Sequence, residues 1–514
     1  VKRARQRGRK VAPEYVRLRV KGWEKPKIRR AYSLVQGFTP SDYGIYKSGT
    51  STVLKGILER IFYIKRNGAF ERAHKPLVRN FNCALRAFTD KVFSFLPYFV
   101  PYTPSEFVGR YEGAKKRNYK SAMRLALIRG LQFPRDSIVS TFDKFEKIDF
   151  AKKPDASPRI INPRSMCFNA LLGRYVSRAE TPLKKAIDLA FGSLTVMKGL
   201  NASQIGNSFY KSWNRFRNPV AIMLDARRFD QHTGILALKY EHSFYKRLYR
   251  HSRELVRLLR KQLRTEGRCY TDDAVIKYMI STIRCSGDMN TSIGNVIISC
   301  AILYCLREKL NIDFDLKNNS DDNCIICDQK DVKILMANLE DWMWVFGYDV
   351  VIEPLVYELE HIDFCQTHPV LDSTGNYTMC RDPRVVLSKD TISTKAIVSE
   401  TYYDGYRDAI AQCGLSMCGD LPVMNEFYSF LGRGAKVVRS VVLEKTGFTM
   451  LARDMHVCYQ TPTSNSRFSF YLAFGITPDS QVAIEAEFRG MVPTWRVPGD
   501  NEYNCKFNIP LPLF

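Results

Sequence analysis

Between Pro219 and Asp225 the chain reads Pro-Val-Ala-Ile-Met-Leu-Asp, an apolar run too short for a stable helix and suited to a strand covered on both faces. Helical sequence follows from about 232 to 264, and a core helix from about 290 to 307. Ile312 to Leu316 and Cys324 to Cys327 read as two short strands around the turn-forming Asn318-Asn319-Ser320. Val332, Leu335, Met336, Leu339 and Met343 then mark one face of a helix that Gly347 ends, and Tyr348 to Ile352 reads as a closing strand. The order β-α-β-β-α-β, with one extra helix in the first crossover, predicts a split βαβ sheet and an α/β (α+β) fold.

On either side the pattern is less regular. From about 50 to 150 apolar residues recur at helical intervals, as in Val53 to Ile64 and Ser121 to Leu131, with Pro97, Pro101 and Pro104 as interruptions. Beyond about 380 short strands, helices and Gly/Pro turns alternate without an internal repeat, as expected of a separate subdomain. Residues 1 to about 35 are rich in Lys and Arg and predict a basic arm or extended segment, either solvated or laid on a polyanion.

Charge narrows the picture. Lysine and arginine total 78 against 52 Asp and Glu, a net charge of +26. Such a field favours nucleic acid or an acidic membrane face without choosing between them. With 45% apolar and 12% aromatic residues the 514-residue chain is not disordered, and it suffices for about three or four structural units. Fourteen cysteines without a framework spacing read as reduced thiols. Cys324 and Cys327 sit three apart on an expected strand and point to opposite faces, which argues against a shared zinc. The longest apolar stretch, Ile293 to Leu306, is too short to cross a bilayer and carries Gly294, Asn295 and Ser299. The arginine-rich start lacks the apolar run of a secretory signal, and a chain that begins at Val1 leaves room for a longer parent.

Candidate chemistry gathers in the centre. Asp225 ends the first expected strand, and Asp321 and Asp322 occupy the turn between the second and third, places that are neighbours in this sheet order. An Asp-Asp pair in a turn is by itself usually turn chemistry. Three carboxylates at one strand tip are costly unless cations neutralise them, and two Mg²⁺ ions roughly 3.5–4 Å apart do so in sites of in-line phosphoryl displacement. Ser286-Gly-Asp-Met-Asn-Thr-Ser-Ile-Gly-Asn295 enters a helix with Thr291 and Asn295 four apart on one face. Helix capping explains one such polar residue, not a pair on a buried helix, and a polar stripe there suits a ribose.

These segments carry a resemblance. Asp225-Ala-Arg-Arg-Phe-Asp230-Gln-His is similar to motif A of viral RNA-dependent RNA polymerases, Ser286 to Asn295 resembles motif B, and Ser320-Asp321-Asp322 sits where motif C belongs. Their form looks most like the tombusvirus-like supergroup, with its carmovirus and tombusvirus members. Lys153-Pro-Asp-Ala-Ser-Pro-Arg159-Ile-Ile-Asn-Pro-Arg164 resembles the basic motif F, Ile362 to Gln366 resembles motif E, and Lys198 to Asn201 resembles the family's segment ahead of motif A. The likeness extends from about 105 to 370.

The resemblance implies a right-hand architecture. A basic arm is expected over 1–50, fingers over 51–215 with motif F at 152–164, palm over 216–236, a fingers insertion over 237–284, palm again over 285–380 and thumb over 381–514. It implies that Asp225, Asp321 and Asp322 hold two Mg²⁺ or Mn²⁺ ions, that Asp230, Ser286, Thr291 and Asn295 select the ribose, and that Lys153, Arg159 and Arg164 bind the triphosphate of an NTP. The implied partners are a single-stranded viral RNA template, the nascent RNA and other viral replication proteins. The implied place is the host cytoplasm, in membrane-associated complexes reached through a partner or an upstream region.

Two positions depart from the family pattern. Ser320 replaces the usual glycine of Gly-Asp-Asp, a serine that other RNA virus polymerases share. Gly347 to Glu353, at motif D, lacks the lysine that many relatives use as proton donor. A reverse transcriptase would carry a bulky residue near Asp230 and an aromatic at Asn319. A non-catalytic RNA-binding or capsid protein would account for the charge but not for the clustered aspartates.

Overall fold

Pro219–Ala226 forms strand β1, and its alternate residues feed two different cores: Val220, Ile222 and Leu224 join one apolar cluster, Ala221 and Met223 another. Burial on both faces is what the unbroken apolar run demanded. The computed structural model describes residues 14–35, 43–66, 68–281, 283–397, 399–435 and 452–493, together with the strand at 502–503.

After β1 come helices α1 (Ile235–Leu248) and α2 (Arg253–Gln262), the hairpin β2 (Thr265–Tyr270) and β3 (Ala274–Ile280), and helix α3 (Thr291–Leu310). Strands β4 (Phe314–Asn319) and β5 (Asp322–Asp328), helix α4 (Gln329–Val345) and strand β6 (Val350–Ile352) complete the unit. The sheet order is β4-β5-β1-β6 with every pair antiparallel, the split βαβ arrangement that the element order predicts. Cys324 and Cys327 fall in different cores, so no zinc joins them. α3 is buried at every position from Ile293 to Leu306 and forms the axis of the larger core.

Several expectations need correction. The helix expected over 232–264 is broken at Arg250 and His251, which take left-handed backbone conformations between α1 and α2. Met336 lies on the open side of α4, not on its buried face. Tyr348 precedes β6 and stacks on Phe229 with ring centroids 4.5 Å apart. Ile64 belongs to a small hairpin, Ile64–Arg66 with Ala69–Glu71, beyond the helix at Thr50–Ile57.

The amino-terminal segment is not a loose arm where it is described; residues 1–13 of that arm lie outside the described residues. Tyr15–Val20 pairs antiparallel with β3, which pairs with β2, and β2 with Val139–Ser140, giving a second four-stranded sheet. Ala31–Ser33 pairs with Ile392–Ser393, and Leu34 is buried among carboxyl-terminal residues. The Tyr403 hydroxyl donates to the Leu34 carbonyl at 2.7 Å. Beyond 380 the described chain is mostly helical, with Glu400–Cys418, Met424–Gly432, Ser464–Phe474 and Pro478–Gly490 around one aromatic core.

Candidate active site

The last residue pair of the β1–β5 ladder brings the acidic residues together: Asp225 lies directly opposite Asp322. Asp321 sits beside them in the two-residue turn Ser320-Asp321, since Asn319 and Asp322 already pair. The turn is tighter than the expected Asn318-Asn319-Ser320, and Ser320 enters it at φ 73°.

Two asparagines brace this hairpin: Asn318, expected only as a turn residue, and Asn323, which sequence reasoning missed. Asn318 Nδ2 donates to Asn323 Oδ1 at 2.7 Å and to the Ser320 carbonyl at 3.0 Å, and Asn323 Nδ2 donates to the Asp321 carbonyl at 3.0 Å. Ser299 on α3 donates to Asn323 Oδ1 at 2.9 Å, and Met197 N–H donates to the Asn318 carbonyl at 2.9 Å. Their flanking of Ser-Asp-Asp was the available signal, because Asn side chains satisfy turn backbones.

Electrostatically the cluster is strained. Desolvation first, and then the Asp225 charge, raise the Asp321 carboxyl above its ordinary range against the pull of Lys198 and Arg159. Asp322 is raised by desolvation, then by Asp321 and Asp225. Cys365 Sγ donates to Asp322 Oδ2 at 3.3 Å and itself accepts from Asn319 Nδ2 at 3.0 Å. Among the described residues no group of three His, Cys, Asp or Glu side chains is arranged so that it could hold a metal ion. The donor set is nevertheless hard oxygen, and a divalent cation would relieve the repulsion that raises both carboxyls.

The acidic tip opens into a cavity of about 770 Å³. Asp225, Asp230, Ser286 and Asp321 line it, together with Lys153 and Arg159. Asn295 Nδ2 donates to Asp230 Oδ1 at 2.9 Å, joining the two ribose candidates. The Thr291 hydroxyl donates to the Cys285 carbonyl at 3.0 Å, and Thr291 is not among the residues that line this cavity.

Arg164 is a correction. Its side chain is 0% exposed, its Nε donates to Asp288 Oδ1 at 2.8 Å and its Nη1 to the Ser137 carbonyl, and it is no part of this lining. Arginine type was legible in the sequence; the buried carboxylate that claims it was not.

The cavity also holds cations that sequence reasoning did not single out. Burial, together with the charges of Arg228 and Arg159, lowers Arg60 to about 10, and burial lowers Arg228, which lies within the Asp225–Asp230 motif. Arg66 reaches the motif D turn from the 64–71 hairpin and pairs with Asp349 at 2.7 Å, 5.2 Å above the Trp344 ring.

Carboxylates from two central strands, meeting at one end of the sheet and facing a cation-lined cavity, are the arrangement that metal-assisted phosphoryl transfer uses. A family model described as viral RNA dependent RNA polymerase matches residues 18–496, and the chain belongs to that family. It is 39% identical over 473 residues to the RNA-directed RNA polymerase of Tobacco necrosis virus (strain A), covering 90% of this chain and 65% of that protein. It is 35% identical over 473 residues to that of Maize chlorotic mottle virus, with 91% and 49% covered, and 34% identical over 469 residues to that of Carnation mottle virus, with 90% and 61% covered. The chain thus spans about half to two thirds of the length of these relatives, and the family match extends well beyond the 105–370 of the motif resemblance.

Proposed function

We propose that this chain is the catalytic core of a replicase that joins ribonucleotides on a viral single-stranded RNA template. One observation carries the reading: Asp225 and Asp322 are direct partners across β1 and β5, with Asp321 beside them at the wall of a basic cavity. The split sheet is the palm, the amino-terminal elements with β2 and β3 are fingers, and the carboxyl-terminal helices are the thumb.

Asp225, Asp321 and Asp322 would hold two Mg²⁺ or Mn²⁺ ions. The chemistry such ions would supply there is activation of the attacking 3′-hydroxyl and stabilisation of charge on the transferring phosphoryl group. Lys153 and Arg159 draw the NTP triphosphate into the cavity and orient it, and their fixed positive charge offsets that of the phosphates. Asp230 and Asn295, already hydrogen-bonded to each other, present a donor and acceptors to the ribose 2′-hydroxyl, with Ser286 beside them. No lysine occupies the motif D turn, where the cation paired with Asp349 is Arg66.

The place we propose is the host cytoplasm, in membrane-associated complexes reached through another replication protein or an upstream region; no helix among the described residues is long and apolar enough to cross a membrane. The test is nucleotide incorporation on a short RNA template with Mg²⁺ or Mn²⁺ by the wild type and Asp321→Ala. Incorporation by the wild type alone is expected, and equal activity in both would overturn the mechanism.

A further inference from the structure

Beneath the Ser286–Asn295 segment lies an ionic network with no part in the chemistry above. Glu241 on α1 and Arg284 are 0% and 1% exposed, and Arg284 Nη2 donates to Glu241 Oε2 at 2.6 Å. Glu241 Oε1 accepts from Asn290 Nδ2 at 2.6 Å and from the Tyr245 hydroxyl at 3.0 Å. Gln262 Nε2 donates to Asn290 Oδ1 at 2.7 Å, extending the network to α2. Gly294 on α3 makes room for it: a Cβ there would meet Glu241 Oε1 at 2.4 Å and Arg284 Nη2 at 2.8 Å. The ion pair therefore passes against the helix backbone one residue before Asn295.

Arg284 has a second connection. Its backbone N–H donates to the Asp230 carbonyl at 3.3 Å, and its charge acts on the Asp230 carboxyl, opposing the upward push of burial. Asp230 in turn accepts from Asn295. A buried ion pair contributes little to stability compared with apolar residues of the same volume, so the fold alone gives no reason for charges here. A fixed cation beside Asp230 is something apolar residues cannot provide.

We propose that Glu241 and Arg284 are positioning residues for sugar selection: Glu241 fixes the Arg284 guanidinium, and Arg284 holds Asp230 and Asn295 in the geometry that recognises a ribose 2′-hydroxyl. The inference rests on the reading of Asp230 and Asn295 as the ribose contacts.

The test compares incorporation of CTP and dCTP by the full chain on a primed RNA template, using Glu241→Gln and the charge-free double variant Glu241→Met/Arg284→Met. The double variant guards against a folding defect, since it leaves no lone buried charge, and thermal unfolding monitors both. The ratio of kcat/KM for CTP to that for dCTP is expected to fall about tenfold, mainly through a higher KM for CTP. If both sugars slow equally at an unchanged ratio, the network is merely structural and the inference is overturned. Asp230→Asn separates the two levels: a reduced ratio there with none in the network variants overturns only the positioning role, whereas an unchanged ratio there overturns the ribose reading itself.

Discussion

Asp225 and Asp322 stand opposite one another at the end of the β1–β5 ladder, so two segments far apart in the chain deliver their carboxylates to one end of the sheet. Backbone pairing fixes that meeting, and neither side chain is needed to form the sheet. Asp225→Ala and Asp321→Ala should therefore fold normally by circular dichroism and lose incorporation by on the order of 10³-fold or more. A folded Asp225→Ala enzyme of near-normal rate would remove the site.

The raised carboxyls predict a stability effect of definite sign. Asp321 binds its proton more tightly in the folded chain than at its ordinary value of 3.8. Its ionisation therefore opposes folding: the penalty is absent below the unfolded value, grows as pH rises, and is complete above the folded value. Without divalent cations, Asp321→Asn should melt above the wild type at pH 7, and the gap should close as pH falls towards 3.8. Millimolar Mg²⁺ should stabilise the wild type more than the variant, measured by the same thermal scans.

The central sheet was legible because two-sided burial leaves unbroken apolar runs, as from Val220 to Leu224, and because α4 keeps a single buried face of Val332, Leu335, Leu339 and Met343. β2 was not, since Glu266 and Arg268 interrupt it and Gly267 is there to let the Tyr278 ring cross, a Cβ falling 1.9 Å from that ring. Nor could periodicity show that Tyr15–Val20 would pair with β3 or that Leu34 would enter the carboxyl-terminal core, because such partners are set by tertiary packing. The three aspartates were legible from element order, whereas the Asn318–Asn323 brace and the Arg284–Glu241 pair depend on contacts that only folding creates.

Arg159 and Arg164 look alike in the sequence and should behave oppositely. Arg159 is 58% exposed in the cavity, so Arg159→Ala should leave thermal stability within about 0.5 kcal/mol and raise KM for NTP. Arg164→Ala strands the buried Asp288 carboxylate and should cost about 3–5 kcal/mol in denaturant unfolding. An Arg164 variant of normal stability with a raised KM would restore that residue to the substrate channel.

The Ser320 turn sets two small effects against each other. At φ 73° a Cβ is disfavoured, which costs about 1 kcal/mol relative to glycine, while the Ser320 hydroxyl donates to the Ser292 carbonyl at 3.1 Å, worth about 0.5–1.5 kcal/mol. Ser320→Gly gives up the bond and relieves the strain, so its stability should stay within about 1 kcal/mol of the wild type. Ser320→Ala keeps the strain and loses the bond, and should be the less stable of the two by about 1 kcal/mol in urea unfolding. The serine also ties the carboxylate-bearing turn to the first turn of α3, so Ser320→Gly should lower kcat with little change in KM, the sign of a loosened aspartate hairpin rather than a damaged nucleotide pocket. An alanine variant as stable as the glycine one would show that the left-handed conformation carries no cost here.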